Sequence, residues 1–100
     1  MKTFDKVYKF VSKIPKGKVA TYKQVSDATK INNPKIVGFA LHVNKDPVKV
    51  PCHRVIKSNG FLAEGYAMGG KSTQMKRLKS EGVKFSRNGK VDFKNFLFEY

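Results

Sequence analysis

The chain contains one cysteine, two histidines and only seven acidic residues in 100. Each scarcity excludes something. A single thiol cannot close an intramolecular disulfide. One cysteine and two histidines are too few for a zinc cluster, so no metal is expected. No apolar run approaches the roughly 20 residues that a membrane-spanning helix needs. The first residues alternate charged with apolar side chains, unlike a secretory signal. These absences predict an intracellular, reducing environment in which a thiol stays available, and no membrane-embedded segment. There are no repeats and no low-complexity linkers, and residues 1–100 read as one domain with a single modest core.

The shortage of acid leaves 21 Lys and Arg facing seven Asp and Glu, a formal charge of +14. A surplus of that size repels itself, so an anionic partner is expected. Nucleic acid comes first and a membrane surface second, with a solubility adaptation as the plain alternative. Only Arg54, Arg77 and Arg87 are arginines. The lysines are spread along the chain, which favours a charged folded surface over a basic arm. Hydrophobic content of 40% with 12% aromatics fits a globule.

Phe4, Val7, Tyr8 and Val11 recur at helical spacing. Pro15 and Gly17 stop that helix, and "KVA" is a short extended piece. Thr21 followed by Gln24 is a capping box, which starts a second helix at Tyr22 with Val25 and Ala28 inward. Asn33 then Pro34 starts a third, expected to run to about Asn44. At 100° per residue, Ile36, Val37, Ala40, Leu41 and Val43 gather on one side of it. Lys35, Gly38 and His42 gather on the other, with Phe39 at the edge. A short helix, a turn and a helix with an open basic face suggest a helix-turn-helix, and an ordinary amphipathic pair would show the same pattern. Gly38 leaves room for a nucleic-acid backbone. "VKVPCHRVI" reads as extended chain bent at Pro51. "FLAEGYAMGG" reads as a loop. Ser72 or Thr73 caps a fourth helix that ends at Gly82. Val83–Phe85 and Lys90–Phe93 form a C-terminal hairpin around Asn88-Gly89. "NFLFEY" is apolar enough to dock on the body. The fold class expected is α/β, a small winged-helix-like domain with short strands.

Cys52 has His53 and Arg54 beside it. A thiol is nucleophilic as thiolate, and neighbouring positive charge favours that form. In an extended segment adjacent side chains point to opposite faces, so His53 would reach Cys52 through a water. A lone cysteine also serves as a small core residue. Glu81 sits where a helix dipole disfavours an anion, a weak pointer to a site. Tyr22 and Tyr66 are either core aromatics or site residues.

"IPKGKVATY", "VGFALHVN", "VPCHRVI", "GYAMGG" and "LKSEGV" stand in the order found in O6-alkylguanine-DNA alkyltransferases. The chain resembles the C-terminal, DNA-binding catalytic domain of that family over roughly residues 3 to 85. PCHR followed by Val-Ile is its most specific signature. The N-terminal domain that many members carry is not in this sequence. In that respect the chain is similar to the short alkyltransferase-like proteins, which have tryptophan where Cys52 stands here.

The resemblance implies direct-reversal DNA repair without a cofactor. An alkyl group would pass from O6-alkylguanine, or O4-alkylthymine, to Cys52 in a single irreversible turnover. His53 would take the thiol proton through a water and Glu81 would orient His53. Arg54 would be a structural partner, and Asn44 a hinge between recognition helix and cysteine segment. Tyr22 would press on the 3′ phosphate and sit near guanine N3. Tyr66 and Ala67, with Val50 and Pro51, would line the base pocket. Lys35, Gly38 and His42 would face DNA. The implied partner is duplex DNA, entered through the minor groove by a monomer that flips the damaged base. The implied location is cytoplasmic beside the nucleoid, or nuclear. The implied alternative is a recognition protein that binds the lesion without accepting the group and recruits another pathway.

Three departures from the family pattern stand out. Lys35 occupies the position of the arginine that fills the gap left by the flipped base; lysine keeps the charge but lacks the planar, stacking guanidinium. "NKDP" replaces asparagine followed directly by proline. Met68 lengthens the loop, and Ala67 stands where serine or another small residue is usual.

Overall fold

The computed structural model describes residues 2–63 and 69–99. Helix α1 (Lys2–Val11) buries Val7 and Val11 completely, with Phe4 and Tyr8 half-buried beside them. Strand β1 (Ala20–Thr21) leads directly into α2 (Tyr22–Ala28). The expected capping box is formed: Thr21 Oγ1 accepts from the Gln24 N–H at 3.0 Å, and Gln24 Oε1 accepts from the Thr21 N–H at 2.9 Å. The turn that follows uses left-handed backbone at Lys30 and Asn32, φ 62° and 58°. Helix α3 (Pro34–His42) then starts on the Asn33 cap, whose Oδ1 accepts from the Lys35 N–H. Helices α2 and α3 form a helix-turn-helix, with α1 packed against both. The Tyr8 hydroxyl pins α3 to α1 by donating to the Ala40 carbonyl at 2.7 Å.

Strand β2 (Val55–Ile56) pairs with β1 in parallel, Ala20 opposite Val55 and Thr21 opposite Ile56. This small sheet divides the interior. Successive strand residues face opposite ways, so Ala20 and Val55 join a core with Val7, Val11, Val25 and Val37. Val19 and Ile56 join a second core with Leu62, Leu78, Val83 and Val91. Helix α4 (Gly70–Ser80) lies on the second core. Its end is a Schellman motif: the Gly82 N–H bonds the Lys79 carbonyl and the Val83 N–H the Leu78 carbonyl. A last turn, α5 (Phe93–Phe96), precedes the C-terminal segment. That segment docks as expected. Val19 donates to the Phe96 carbonyl, Phe98 donates to the Val19 carbonyl, and the Phe10 and Phe98 rings meet at 6.0 Å.

The domain is a helix-rich α/β fold, and several sequence expectations are corrected. Helix α3 ends at His42, two residues before Asn44, whose side chain is used in the following loop. Ile36 and Val43 are 36% and 38% exposed. Only Val37, Ala40 and Leu41 are covered, because they span the narrower arc that α1 and α2 can reach. In α2, Ser26 is buried and Ala28 only half-buried. Helix α4 starts at Gly70 after Gly69 at φ 118°, so Ser72 and Thr73 lie inside it and neither is its cap. The C-terminal hairpin shrinks to one bridge, Phe85 with Val91, and Phe93 begins a helical turn. The cysteine segment is not extended: Cys52–Arg54 is a turn of 3₁₀ helix.

Gly82 takes φ 94° with open space where a Cβ would point among the described residues. The strain of left-handed backbone is therefore the main effect of Gly82→Ala. Urea unfolding should show a loss of about 1–2 kcal/mol; an unchanged midpoint would refute this account of how α4 ends.

Candidate functional site

Three residues in one tight turn set the geometry. Pro51 is buried and its carbonyl accepts from the Arg54 N–H at 2.9 Å, closing the turn. A 3₁₀ turn separates successive side chains by roughly 120°, where a strand would separate them by about 180°. Cys52 and His53 therefore diverge less than extended chain would allow. Both are 5% exposed.

Glu81, at the end of α4, closes the arrangement from across the chain. Its Oε2 lies 2.9 Å from His53 Nε2. Arg54 grips the same carboxylate with two donors, Nε to Oε1 at 2.9 Å and Nη2 to Oε2 at 2.7 Å. Arg54 Nη1 also donates to the Ile14 carbonyl at 2.8 Å. Burial works against the Glu81 charge, but the hydrogen bonds from Arg54 and His53 outweigh it, and its pKa falls to about 2. The carboxylate is an anion, so it accepts and His53 Nε2 carries the proton. His53 Nδ1 then offers a lone pair. That nitrogen is buried and has no hydrogen-bond partner among the described residues. Burial lowers the His53 pKa below its ordinary value, against the raising effect of Glu81, so the ring is neutral near pH 7.

The thiol is balanced in the opposite sense. Burial raises the Cys52 pKa. Hydrogen bonds from the Asn44 side chain and from the backbone of Cys52 and His53, with the charge of Arg77, pull it partly back. The loop fixes Asn44 beside the sulfur, because Nδ2 donates to the Val50 carbonyl at 2.9 Å and Oδ1 accepts from the Asp46 N–H. The Val50 carbonyl also accepts from the Cys52 N–H at 2.7 Å. The parallel sheet places Tyr22, the first residue of α2, near the thiol. The Tyr22 pKa is raised, first by burial and then by the charge Cys52 would carry.

A second group lies on the open side of the helix-turn-helix. Tyr22, Lys35, Gly38 and His42 line one cleft of about 450 Å³ together with Pro34, Phe39 and Ala63. A Cβ added at Gly38 would meet no described atom within 4 Å. Tyr22 belongs to both groups and is the link between the helix-turn-helix and the cysteine turn. Tyr66 and Ala67, expected in the base pocket, lie outside the described residues. Among the described residues no cluster of three or more His, Cys, Asp or Glu could hold a metal ion, and no helix is long and apolar enough to cross a membrane.

Comparison with known proteins identifies the family. The model of the 6-O-methylguanine DNA methyltransferase DNA-binding domain matches residues 2–83. The chain belongs to this family. It is 49% identical over 80 residues to a methylated-DNA–protein-cysteine methyltransferase of Saccharolobus solfataricus, covering 78% of this chain and 49% of that protein. The domain thus spans about half the length of the curated methyltransferases it matches. Among solved structures it is similar to S. pombe Atl1 bound to DNA containing O6-carboxymethylguanine: TM-score 0.84 and 29% identity, over 99% of this chain and 96% of that one. It is also similar to the O6-methylguanine-DNA methyltransferase of Pyrococcus kodakaraensis: TM-score 0.71 and 33% identity, over 83% and 47%.

Two contributors to this candidate site are not evident from the sequence. Gln74 is buried and donates through Nε2 to the carbonyls of His53 and Val55, at 3.0 and 3.2 Å. It holds the cysteine turn against α4. Its only signal is a glutamine one helical turn before Leu78, on the stripe that faces the core. Arg77 acts on both Cys52 and His53 through charge alone, and no sequence pattern marks it.

Glu81 has a folded pKa below its unfolded value. Its contribution is complete above the unfolded pKa near 4.5 and is lost as pH falls toward about 2. Glu81→Gln also leaves Arg54 without its anion. At pH 7 the variant should be less stable by on the order of 3 kcal/mol, and the gap should shrink steadily between pH 5 and about pH 2. Urea titrations across that range check both statements; a gap independent of pH would contradict the ionic account.

Proposed function

We propose that this domain repairs DNA by moving an alkyl group from guanine O6 to Cys52, once per molecule. The observation that supports it is the cysteine turn. A buried thiol sits beside an imidazole whose Nε2 is tied to an ionised carboxylate and whose Nδ1 is left to accept.

The steps follow from the chemistry of those groups. The Cys52 proton passes to His53 Nδ1, through a water where the two are not in direct contact, and Glu81 stabilises the imidazolium. The thiolate attacks the alkyl carbon. A carbon–sulfur bond forms, the carbon–O6 bond breaks, and its electron pair stays on guanine. The guanine anion takes up a proton, with the Tyr22 hydroxyl as donor and His53 as final source. The thiol hydrogen is thereby transferred to the base. Tyr22 suits this role because burial and the neighbouring thiolate both keep its hydroxyl protonated. The thioether has no leaving group that would restore the thiol, so the molecule is consumed.

The rest of the reading concerns delivery. The charge of +14 supplies sequence-independent attraction to duplex DNA. The Gly38 face of α3 lies against the minor groove, and the alkylated base is flipped out, at less cost because it pairs poorly. A second reading is favoured by one finding: the likeness to S. pombe Atl1 covers both chains almost completely. On that reading the domain binds the alkylated guanine and leaves it unrepaired. Cys52 and its surroundings favour transfer.

Incubation with a duplex containing O6-methylguanine, followed by intact-mass measurement, separates the two. Transfer adds one methyl group, on Cys52, and Cys52→Ser abolishes the gain while sparing affinity. Lesion-selective binding with unchanged mass would establish the second reading in its place. Lys35→Ala should weaken binding to the lesion duplex and lower the salt slope of affinity by about one. An unchanged slope would remove Lys35 from the phosphate contacts.

A further inference from the structure

Phe39 is the largest apolar side chain left in solvent on α3, 58% exposed. The helix is anchored through Val37, Ala40 and Leu41, and Phe39 adds only an edge contact with Phe4 while most of its ring stays in solvent. Projected at 100° per residue, Lys35, Gly38, Phe39 and His42 fall within an arc of about 100°. Phe39 is therefore part of the face that carries Lys35, one turn beyond it. All four line the same cleft as Tyr22. The ring is also held in place. Phe4 of α1 meets it edge-to-face at 5.7 Å, and Phe4 is itself set against Tyr8 at 6.3 Å.

We infer that Phe39 is the stacking wedge of the DNA-reading face, filling the space that a flipped base leaves in the duplex. The inference rests on the DNA-lesion reading above and deepens it. A flipped nucleotide leaves its neighbours and its former partner without a stacking surface. Lysine can hold a phosphate but has no planar group to offer in that gap. An aromatic ring one turn away does, and apolar wedges inserted from the minor groove are a general means of holding a duplex unstacked. Gly38 beside it lets the helix backbone come close enough for the ring to enter, since no described side chain occupies the space above it. Lys35 then supplies charge and Phe39 supplies surface. Ile36 and Val43, also exposed, extend the apolar side of this ridge toward the deoxyribose wall. Charge selects the occupant: the cleft opens between Lys35 and His42 on a chain of +14, which fits a polyanion with apolar sugars and bases.

The test uses the full chain and two duplexes of one sequence, with and without O6-methylguanine, each carrying 2-aminopurine beside the target base. Wild type should bind the lesion duplex selectively and brighten the probe by unstacking it. Phe39→Ala should lose about 5- to 100-fold in lesion affinity and most of the brightening. Binding to the undamaged duplex should stay within about twofold, which a misfolded variant would not achieve. Phe39→Tyr, which keeps the ring, should restore both signals. If wild type is selective and Phe39→Ala is equally so, the wedge is overturned and the repair reading stands. An equal loss on both duplexes, or a Phe39→Tyr that behaves like alanine, also overturns the wedge. If wild type shows no selectivity, the wedge is overturned, and the repair reading fails with it only where the intact mass is also unchanged after incubation with the lesion duplex.

Discussion

One carboxylate, that of Glu81, joins three parts of the chain that are far apart in sequence. It takes two hydrogen bonds from Arg54 and one from His53, and Arg54 carries the connection on to the Ile14 carbonyl after α1. The end of α4, the cysteine turn and the exit from α1 are thus fixed on one another by a single charged group. This explains why an anion sits at a helix C-terminus, where the dipole opposes it. The opposing dipole is overcome by a bidentate guanidinium at close range. The backbone is shaped around the same point. Gly17 approaches so near that an added Cβ would lie 3.2 Å from the Glu81 carbonyl, and Gly82 turns the chain away immediately afterwards.

That arrangement decides how the sulfur behaves. An exposed thiol next to a cation would ionise readily and react with whatever reached it. Here burial opposes ionisation, and the donors from Asn44 and the turn backbone relieve only part of that cost. The resting group is a protonated, shielded thiol. On the proposed reading it ionises when its proton has somewhere to go, and the neutral His53 ring held by Glu81 is the adjacent acceptor. If Cys52 is the single-use nucleophile proposed above, suppression at rest is as useful as activation. Both follow from one feature, the withdrawal of the Cys52–His53 pair from water.

Much of this is readable in the sequence, for reasons that differ from element to element. The starts of α2 and α3 are legible because capping is local: Thr21 with Gln24, and Asn33 with Pro34, satisfy their bonds within a few residues. The cluster of Cys52, His53 and Glu81 is legible because its members carry distinctive chemistry, Cys52 beside His53 and Glu81 against the dipole rule. The conformation of the cysteine turn is not. Pattern suggests extended chain from Val48 to Ile56, while the actual turn depends on Gln74 and Arg54 bonding to distant partners. The same is true of Ile36 and Val43. Their apolarity predicts burial, but how wide a stripe is covered depends on where α1 lies, which helical periodicity does not encode. The hairpin expected around Asn88-Gly89 places Phe93 in a strand, whereas the chain there turns into α5, and Phe96 packs on the second core.

Charge and shape divide the work of recognition. The lysines act at long range, but salt screens exposed charges beyond about 10 Å, and attraction to phosphate is blind to sequence and to damage. A damaged base can be distinguished only by groups that touch it or the gap it leaves. On the proposed reading those groups are few and they converge: Tyr22 begins α2, the Lys35–His42 face belongs to α3, and the cysteine turn is the next element after α3. Helix α3 is held from behind by Tyr8 and by the core, so its open face is set at a fixed distance from the sulfur. On the proposed reading, a helix free to shift by about one ångström would still bind DNA through its lysines, yet it would present the base to the wrong atom. The rigidity of the α1–α3 contact would then serve the proposed chemistry as well as the fold.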